Sequence, residues 1–267
     1  MLKMVYYIYR VLFARRIFYK FNKLLYNLSL KGLGILNFES DKISGEEHFV
    51  KHHISNIEKG VIFDVGANVG TYSKLLRESN QNIEIYSFEP HPVTYQRLLE
   101  NIENMDVKTF NVGVGSMLGT LNLYDYADND GSSHASLYKE VIEEIHKVQT
   151  VEHEVKIITL TAFANEHEIE RVKLLKIDTE GHEMEVLKGF EQLIMENKVD
   201  LIHFEFNEMN VASRVFFKDF WDFLPNYDFY RMLPDGLAPI KIYNPVFCEI
   251  FAYQNIVAML KTDFRPS

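Results

Sequence analysis

VIFDVGANVGTY, residues 61–72, runs a short apolar and β-branched segment into an aspartate, brackets three residues between Gly66 and Gly70, and then opens a helical pattern. A strand, a tight turn and a helix start in that order begin an α/β unit. The alternation continues downstream. Strands are predicted at 61–65, 83–88, 107–112, 172–177 and 199–205, and helices at about 70–79, 91–103, 181–196 and 213–223. Strands alternating with helices make a mostly parallel sheet covered on both faces, here a Rossmann-like three-layer sandwich. Beyond 225 the pattern changes. YDFYRML (227–233) and VFCEIFAY (246–253) read as two strands with no helix between them, separated by a loop holding Pro234, Gly236 and Pro239, and are expected to pair as a terminal antiparallel hairpin.

Between 112 and 172 the alternation is interrupted. GTLNLYDY (119–126) reads as an extra strand, DNDGSSHAS (128–136) as an exposed loop, LYKEVIEEIHKV (137–148) as a helix and HEVKIITL (153–160) as another strand. An insertion at about 113–165, beside the carboxyl ends of the sheet strands, stands where substrate specificity tends to reside.

In an open α/β sheet the ligand lies beyond those carboxyl ends. Gly66 allows a tight turn and close approach of the backbone, and Gly70 opens a helix whose N-terminal N–H groups face the same place. A dinucleotide site would require G-x-G-x-x-G; here Ala67 and Asn68 occupy the centre, and Asp64 would repel phosphate. Asp64 suits a cation instead. In IYSFEPHP (85–92), Glu89 ends the second strand 19 residues past Gly70, at the spacing of an acid that accepts two hydrogen bonds from a ribose diol. Pro90 and Pro92 stop that strand. A ribose without a phosphate cradle, next to an acid suited to an ammonium group, describes S-adenosylmethionine.

LLKIDTEGHEMEVLKGF (174–190) places Asp178, Glu180, His182 and Glu183 within six positions after Lys176. So dense a cluster must be solvated, paired or functional; helix capping by Asp178 or Thr179, with Glu183 in the first turn, accounts for part of it. LIHFEFNEMN (201–210) closes the next strand with His203 and Glu205 on one face and Phe204 and Phe206 on the other. His203 reads as a satisfied core group before it reads as a catalyst. His48 and His52 have metal-like spacing but no third ligand, and read as a surface face.

The composition excludes some classes. The 267 residues carry a net charge of −10, with 47% hydrophobic and 25% charged residues, as in a soluble globular protein. Cys248 is the lone cysteine, so no intrachain disulfide forms, in agreement with a reducing compartment. Residues 1–38 hold Lys3, Arg10, Arg15, Arg16, Lys20, Lys23 and Lys31 and no acid, a charge of +7, leaving −17 on the rest. An acidic body argues against nucleic acid as a partner. The basic, aromatic front has neither the run of about 18 apolar residues that spans a bilayer nor a signal-peptide cleavage pattern. As a single helix it would gather six of its seven basic residues on one half, suited to a membrane interface; docking of its apolar face on the protein body is the reading preferred.

Taken in order, FDVGANVGTYS (63–73), FEPHP (88–92), NVGVGSMLGTLNLY (111–124), KIDTEGHEMEVLKG (176–189) and IHFEFNE (202–208) resemble the FkbM family of S-adenosylmethionine-dependent methyltransferases, over roughly residues 46–253. The resemblance implies the class I methyltransferase fold, a mostly parallel seven-stranded sheet with a terminal antiparallel hairpin. It divides the chain into an extension (1–45) and a methyltransferase domain (46–260). It implies that Asp64, Gly66, Asn68 and Gly70 line the methionine end of the cofactor, and that Glu89, with Pro90 beside it, binds the ribose. NVGVGS carries no acid where many related enzymes contact adenine, so the adenine contacts stay open.

The implied reaction is O-methylation of a hydroxyl on a sugar, glycan, glycolipid or natural product. An alcohol needs a general base; Asp178, His182 and Glu205 are the candidates, His182 or Asp178 preferred, with Glu180 and Glu205 orienting the acceptor or the base. A divalent metal on Asp178 and Glu205 is allowed by the chemistry of carboxylates but not favoured. The expected compartment is the cytoplasm, with residues 1–31 able to rest on the inner membrane face; the oligomeric state is open. The competing class is a non-catalytic nucleoside-binding or scaffold protein that keeps the pocket. An NAD-type oxidoreductase is disfavoured by the missing third glycine and the terminal hairpin.

Overall fold

The computed structural model describes residues 1–126 and 150–264. The expected loop at 128–136 and helix at 137–148 lie outside the described residues.

Eleven strands are described, in two sheets: β1 (Gly60–Val65), β2 (Ile83–Phe88), β3 (Lys108–Phe110), β4 (Gly113–Val114), β5 (Gly119–Tyr126), β6 (Thr150–Ile158), β7 (Val172–Ile177), β8 (Val199–Glu205), β9 (Tyr227–Leu233), β10 (Gly236–Ile240) and β11 (Asn255–Leu260). The main sheet has the order β10-β9-β11-β8-β7-β1-β2-β3. Pairings among β3, β2, β1, β7 and β8 are parallel, and β11, β9 and β10 add antiparallel. Because the order reverses between β1 and β7, the crossovers leave a crevice at their carboxyl ends.

Six of the seven expected strands are present in the main sheet, joined by β10 and β11, so the antiparallel end is built from other residues than expected. VFCEIFAY is not a strand. Asn244 accepts a hydrogen bond from Val246 N, and with Pro245 at the first position it starts a short helix, Pro245–Cys248. The partners of β9 are β10 and β11. β10 takes in Pro239, read as a loop residue; at the sheet edge its missing N–H costs no ladder bond. Two helices are also shorter than predicted. The 181–196 pattern breaks at Gly189 and Phe190 into Glu183–Lys188 and Glu191–Met195, and 213–223 becomes Met209–Ser213 and Phe217–Phe223.

Alternation along the strands sends Phe63, Val65, Leu175, Ile177, Ile202 and Phe204 into one core layer. It sends Ile62, Leu174, Leu201 and Val257 into the other, under Phe49, Val50 and Leu76. The second layer also takes the polar members of the strands. Asp64 pairs in register with Ser87 on β2 and Lys176 on β7, and Lys176 with His203 on β8. A buried polar row therefore crosses four strands just below their carboxyl ends.

β4, β5 and β6 form a small second sheet over the end of β3. It is tied to the body by His91, whose Nδ1 accepts from Val93 N and Thr94 N at the start of helix Pro92–Asn101, leaving its Nε2 facing Asp125 Oδ2 on β5 at 3.4 Å.

The N-terminal segment is two helices, Leu2–Phe13 and Tyr19–Gly32, broken by a turn at Arg16–Phe18. The expected docking on the body does not occur along their length: the first helix buries no side chain and the second buries only Leu30.

Candidate active site

The turn after β1 is held in the left-handed region at Gly66 (φ 76°), Asn68 (φ 50°) and Gly70 (φ 87°). Its N–H groups are already committed. Gly66 N and Ala67 N both donate to Phe88 O at 3.0 Å, and Asn68 N donates to Glu89 Oε2 at 2.9 Å. A phosphate would need those donors free, so the cradle is not one for phosphate. His91 N donates to the other oxygen, Glu89 Oε1, at 2.8 Å. The carboxylate is thereby fixed at the cavity wall with lone pairs left for a diol. Burial pushes its pKa up to about 7, against the pull of the two N–H donors.

The two glycines do different work. A Cβ on Gly66 would stand 1.7 Å from the carbonyl oxygen of Asp178, so the turn and the loop after β7 touch through the missing side chain. At Gly70 a Cβ would meet Leu98 Cδ1 at 2.6 Å. Gly70 thus allows the helices to pack and does not line the cavity.

That cavity holds about 630 Å³ of empty space, counting the part open to solvent. Gly66, Asn68, Glu89 and Pro90 form its first side, and Thr94, Val112, Gly113, Val114 and Leu123 its apolar wall. Asp178, Thr179, Glu180 and His182, from the loop after β7, complete the lining. Asp64 is absent from the walls, contrary to its expected place beside the cofactor. Its side chain points into the second core layer, fully buried, where Oδ2 accepts from Ser73 Oγ at 2.5 Å and Oδ1 lies 3.7 Å from Lys176 Nζ.

Lys176 is the hub of the polar row. Its ammonium lies 3.0 Å from Asp178 Oδ2 and 5.4 Å from the centre of the Tyr72 ring. Burial alone would lower its pKa; the carboxylates of Asp178, Asp64 and Glu46 outweigh this and keep it charged. At the end of the row His203 is a structural group: Nδ1 accepts from Tyr72 OH at 3.2 Å and Nε2 donates to Asn255 Oδ1 at 3.1 Å. Burial lowers its pKa to about 4, which keeps it neutral.

Beyond the row lies the acidic end. Glu183 does not extend a cap made by Asp178 or Thr179, as the sequence suggested. Its Oε1 reaches back to accept from Thr179 N, Thr179 Oγ1 and Gly181 N at 3.1–3.2 Å, holding the 178–182 loop in shape. Asp178 is one-third exposed and faces the cavity. His182 is nearly buried on the same wall, its pKa lowered by burial to about 4. Glu205 does not line the cavity, but it senses both Asp178 and Glu180: burial first, then those two charges, raise its pKa well above the carboxylate range. Glu46 and Tyr253 join this end. Burial brings Glu46 to about 7, and burial together with Glu205 and Glu46 raises the Tyr253 phenol. Neither was singled out in the sequence, because each arrives from a segment outside the βα repeat with no motif around it. His48 and His52 stack on each other on the helix Glu46–His53 and take no part. Among the described residues no group of three or more His, Cys, Asp or Glu is arranged to hold a metal ion; the positive charge between the acids is supplied by Lys176.

Residues 64–230 match the Methyltransferase FkbM domain. The chain belongs to the FkbM methyltransferase family. Its relatives include methyltransferase sdnD of Sordaria araneosa, 31% identical over 55% of this chain and 68% of that one. The hexuronic acid methyltransferase AglP of Haloferax volcanii is 27% identical over 64% of each chain. The 2-O-methyltransferase NoeI of Sinorhizobium fredii is 21% identical over 69% of this chain and 79% of the other. The match thus spans about two thirds of the length of the first two. S-adenosylmethionine, the donor used by the family, fits the residues present. Glu89 offers acceptors for a diol, the Val112–Val114 wall offers an apolar face for the base, and the spent N–H groups of the turn leave no place for a pyrophosphate.

Proposed function

We propose that the protein methylates a hydroxyl of a sugar, glycan, glycolipid or natural product, in the cytoplasm, with S-adenosylmethionine as donor. One observation carries the reading: a single cavity is lined both by the diol acceptor Glu89 and by Asp178, Glu180 and His182. The relatives named for a hexuronic acid and for 2-O-methylation support a sugar hydroxyl. The lone thiol, Cys248, is buried and agrees with a reducing compartment.

The donor supplies a methyl group on a sulfonium, already a strong electrophile, so the protein's share is alignment and removal of the acceptor proton. Glu89, with Asn68 N and His91 N behind it, orients the donor. Asp178 takes the acceptor proton. What favours Asp178 over His182 is position: Asp178 is one-third exposed on the cavity wall and held in place by Lys176, whereas His182 is buried. Glu180, on the cavity wall, orients the acceptor as a hydrogen-bond partner, and Glu205, behind the wall, acts on the Asp178–Glu180 pair through its charge.

The test is calorimetric titration with S-adenosylmethionine, S-adenosylhomocysteine and NAD, followed by transfer of labelled methyl to a panel of hexoses, hexuronic acids and lipid-linked sugars. Binding of the first two, no binding of NAD and label on a hydroxyl oxygen are expected. Binding with no transfer to any hydroxyl compound would favour the non-catalytic alternative.

A further inference from the structure

The N-terminal helices present a surface that the active site does not use. On the first, Met4, Ile8 and Val11 form one stripe; on the second, Phe21, Leu24 and Leu28 form another, at about 100° per residue. All six are 42–62% exposed. The second stripe lies well away from Leu30, the one side chain of that helix that is buried. Tyr6, Tyr7, Tyr9, Tyr19 and Tyr26 are exposed as well.

The pair is built as a unit. Tyr9 OH donates to Asn22 Oδ1 at 2.6 Å, Asn22 Nδ2 donates to Phe13 O at 3.0 Å, and the Phe13 ring packs on Phe18 and Phe21. Its root is anchored next to the acidic end of the site: Leu36 N donates to Tyr253 O at 2.8 Å, and Phe38 packs edge-on against Tyr253.

Charge identifies the occupant. Residues 1–38 carry seven basic side chains and no acid, on a chain of net charge −10. Lys20 borders one side of the exposed stripe of the second helix, and Lys31, paired with Glu39 at 2.7 Å, lies on the same side. Apolar stripes bordered by lysine, with tyrosines around them, fit the boundary between headgroups and acyl chains of an anionic bilayer. A second copy packed stripe to stripe would instead bring like charges together. No described helix is long and apolar enough to cross a membrane.

We propose that residues 1–33 dock the protein on an anionic lipid surface, lying in its interface, with the acceptor end of the site rooted beside the contact. This reading is independent of the proposed reaction. The test is co-sedimentation of the full chain with vesicles of phosphatidylcholine alone and with 30% phosphatidylglycerol, at 50 and 500 mM NaCl. Binding to the anionic vesicles only, with release at high salt, is expected. Lys20→Ala with Lys23→Ala should lower partitioning about thirtyfold, from about 1 kcal/mol per basic residue at an anionic surface. Leu24→Asp with Leu28→Asp should abolish it. Both variants should keep the parent's melting temperature and S-adenosylhomocysteine affinity. Absence of binding to anionic vesicles, equal binding to phosphatidylcholine, or an unaffected Leu24→Asp/Leu28→Asp variant would overturn the proposal. So would a dimer in sedimentation velocity that this variant dissolves while no vesicle is bound, which would give the stripes to a second copy.

Discussion

The two ends of the cavity are made from different materials. At the β1–β2 end the work is done by main chain: three residues in left-handed geometry, N–H groups committed to Phe88 O and Glu89, and one carboxylate. At the β7–β8 end it is done by charged side chains gathered around Lys176 from β1, β7, β8 and the segments carrying Glu46 and Tyr253. A site made of backbone holds its shape by steric necessity. One made of ions holds it by mutual compensation, and losing one member exposes the rest.

That contrast can be broken by substitution. The largest effect is expected for Asp178→Asn, which keeps the shape and removes the proposed base: kcat should fall roughly 10²–10⁴-fold, with S-adenosylhomocysteine affinity little changed. Survival of near-normal turnover would return the role to His182. Next comes Lys176→Met, which leaves Asp64 buried without its counter-charge and Asp178 without its partner. A cost of about 3–5 kcal/mol, or roughly 10 °C in melting temperature, is expected. A melting temperature within a degree or two of the parent would mean that the polar row is not held by charge. The smallest effect is a pH dependence at the other end. Glu89 titrates near 7 because burial raises it, and only the ionised form accepts two hydrogen bonds from a diol. Donor affinity should therefore rise with pH through that value, about tenfold from pH 6 to pH 8, and Glu89→Gln should flatten the profile.

The same contrast explains what could be read in the sequence. The β1 turn was legible because left-handed backbone leaves a mark: Gly66 and Gly70 stand where a side chain would collide, and Glu89 follows at a set distance. The parallel sheet was legible from alternating strand and helix patterns. Asp64 was misjudged as a wall residue because strand alternation says which face it takes but not that Ser73 and Lys176 wait there. Glu46 and Tyr253 left no signal, since their presence depends on how the chain ends wrap the sheet. The antiparallel end failed through local chemistry: the apolar 246–253 run looked extended, while the Asn244–Pro245 cap turned its first residues into a helix.

Gly66 makes the two ends dependent on each other. With the carbonyl of Asp178 filling the space of its absent side chain, the offset between the β1 turn and the loop carrying Asp178 is fixed by backbone contact, with no slack of even one methyl group. Side chains around Asp178 can therefore differ while the spacing between the β1 turn and the loop after β7 stays fixed. Gly66 is a spacer gauge, separating what this protein modifies from how it does so.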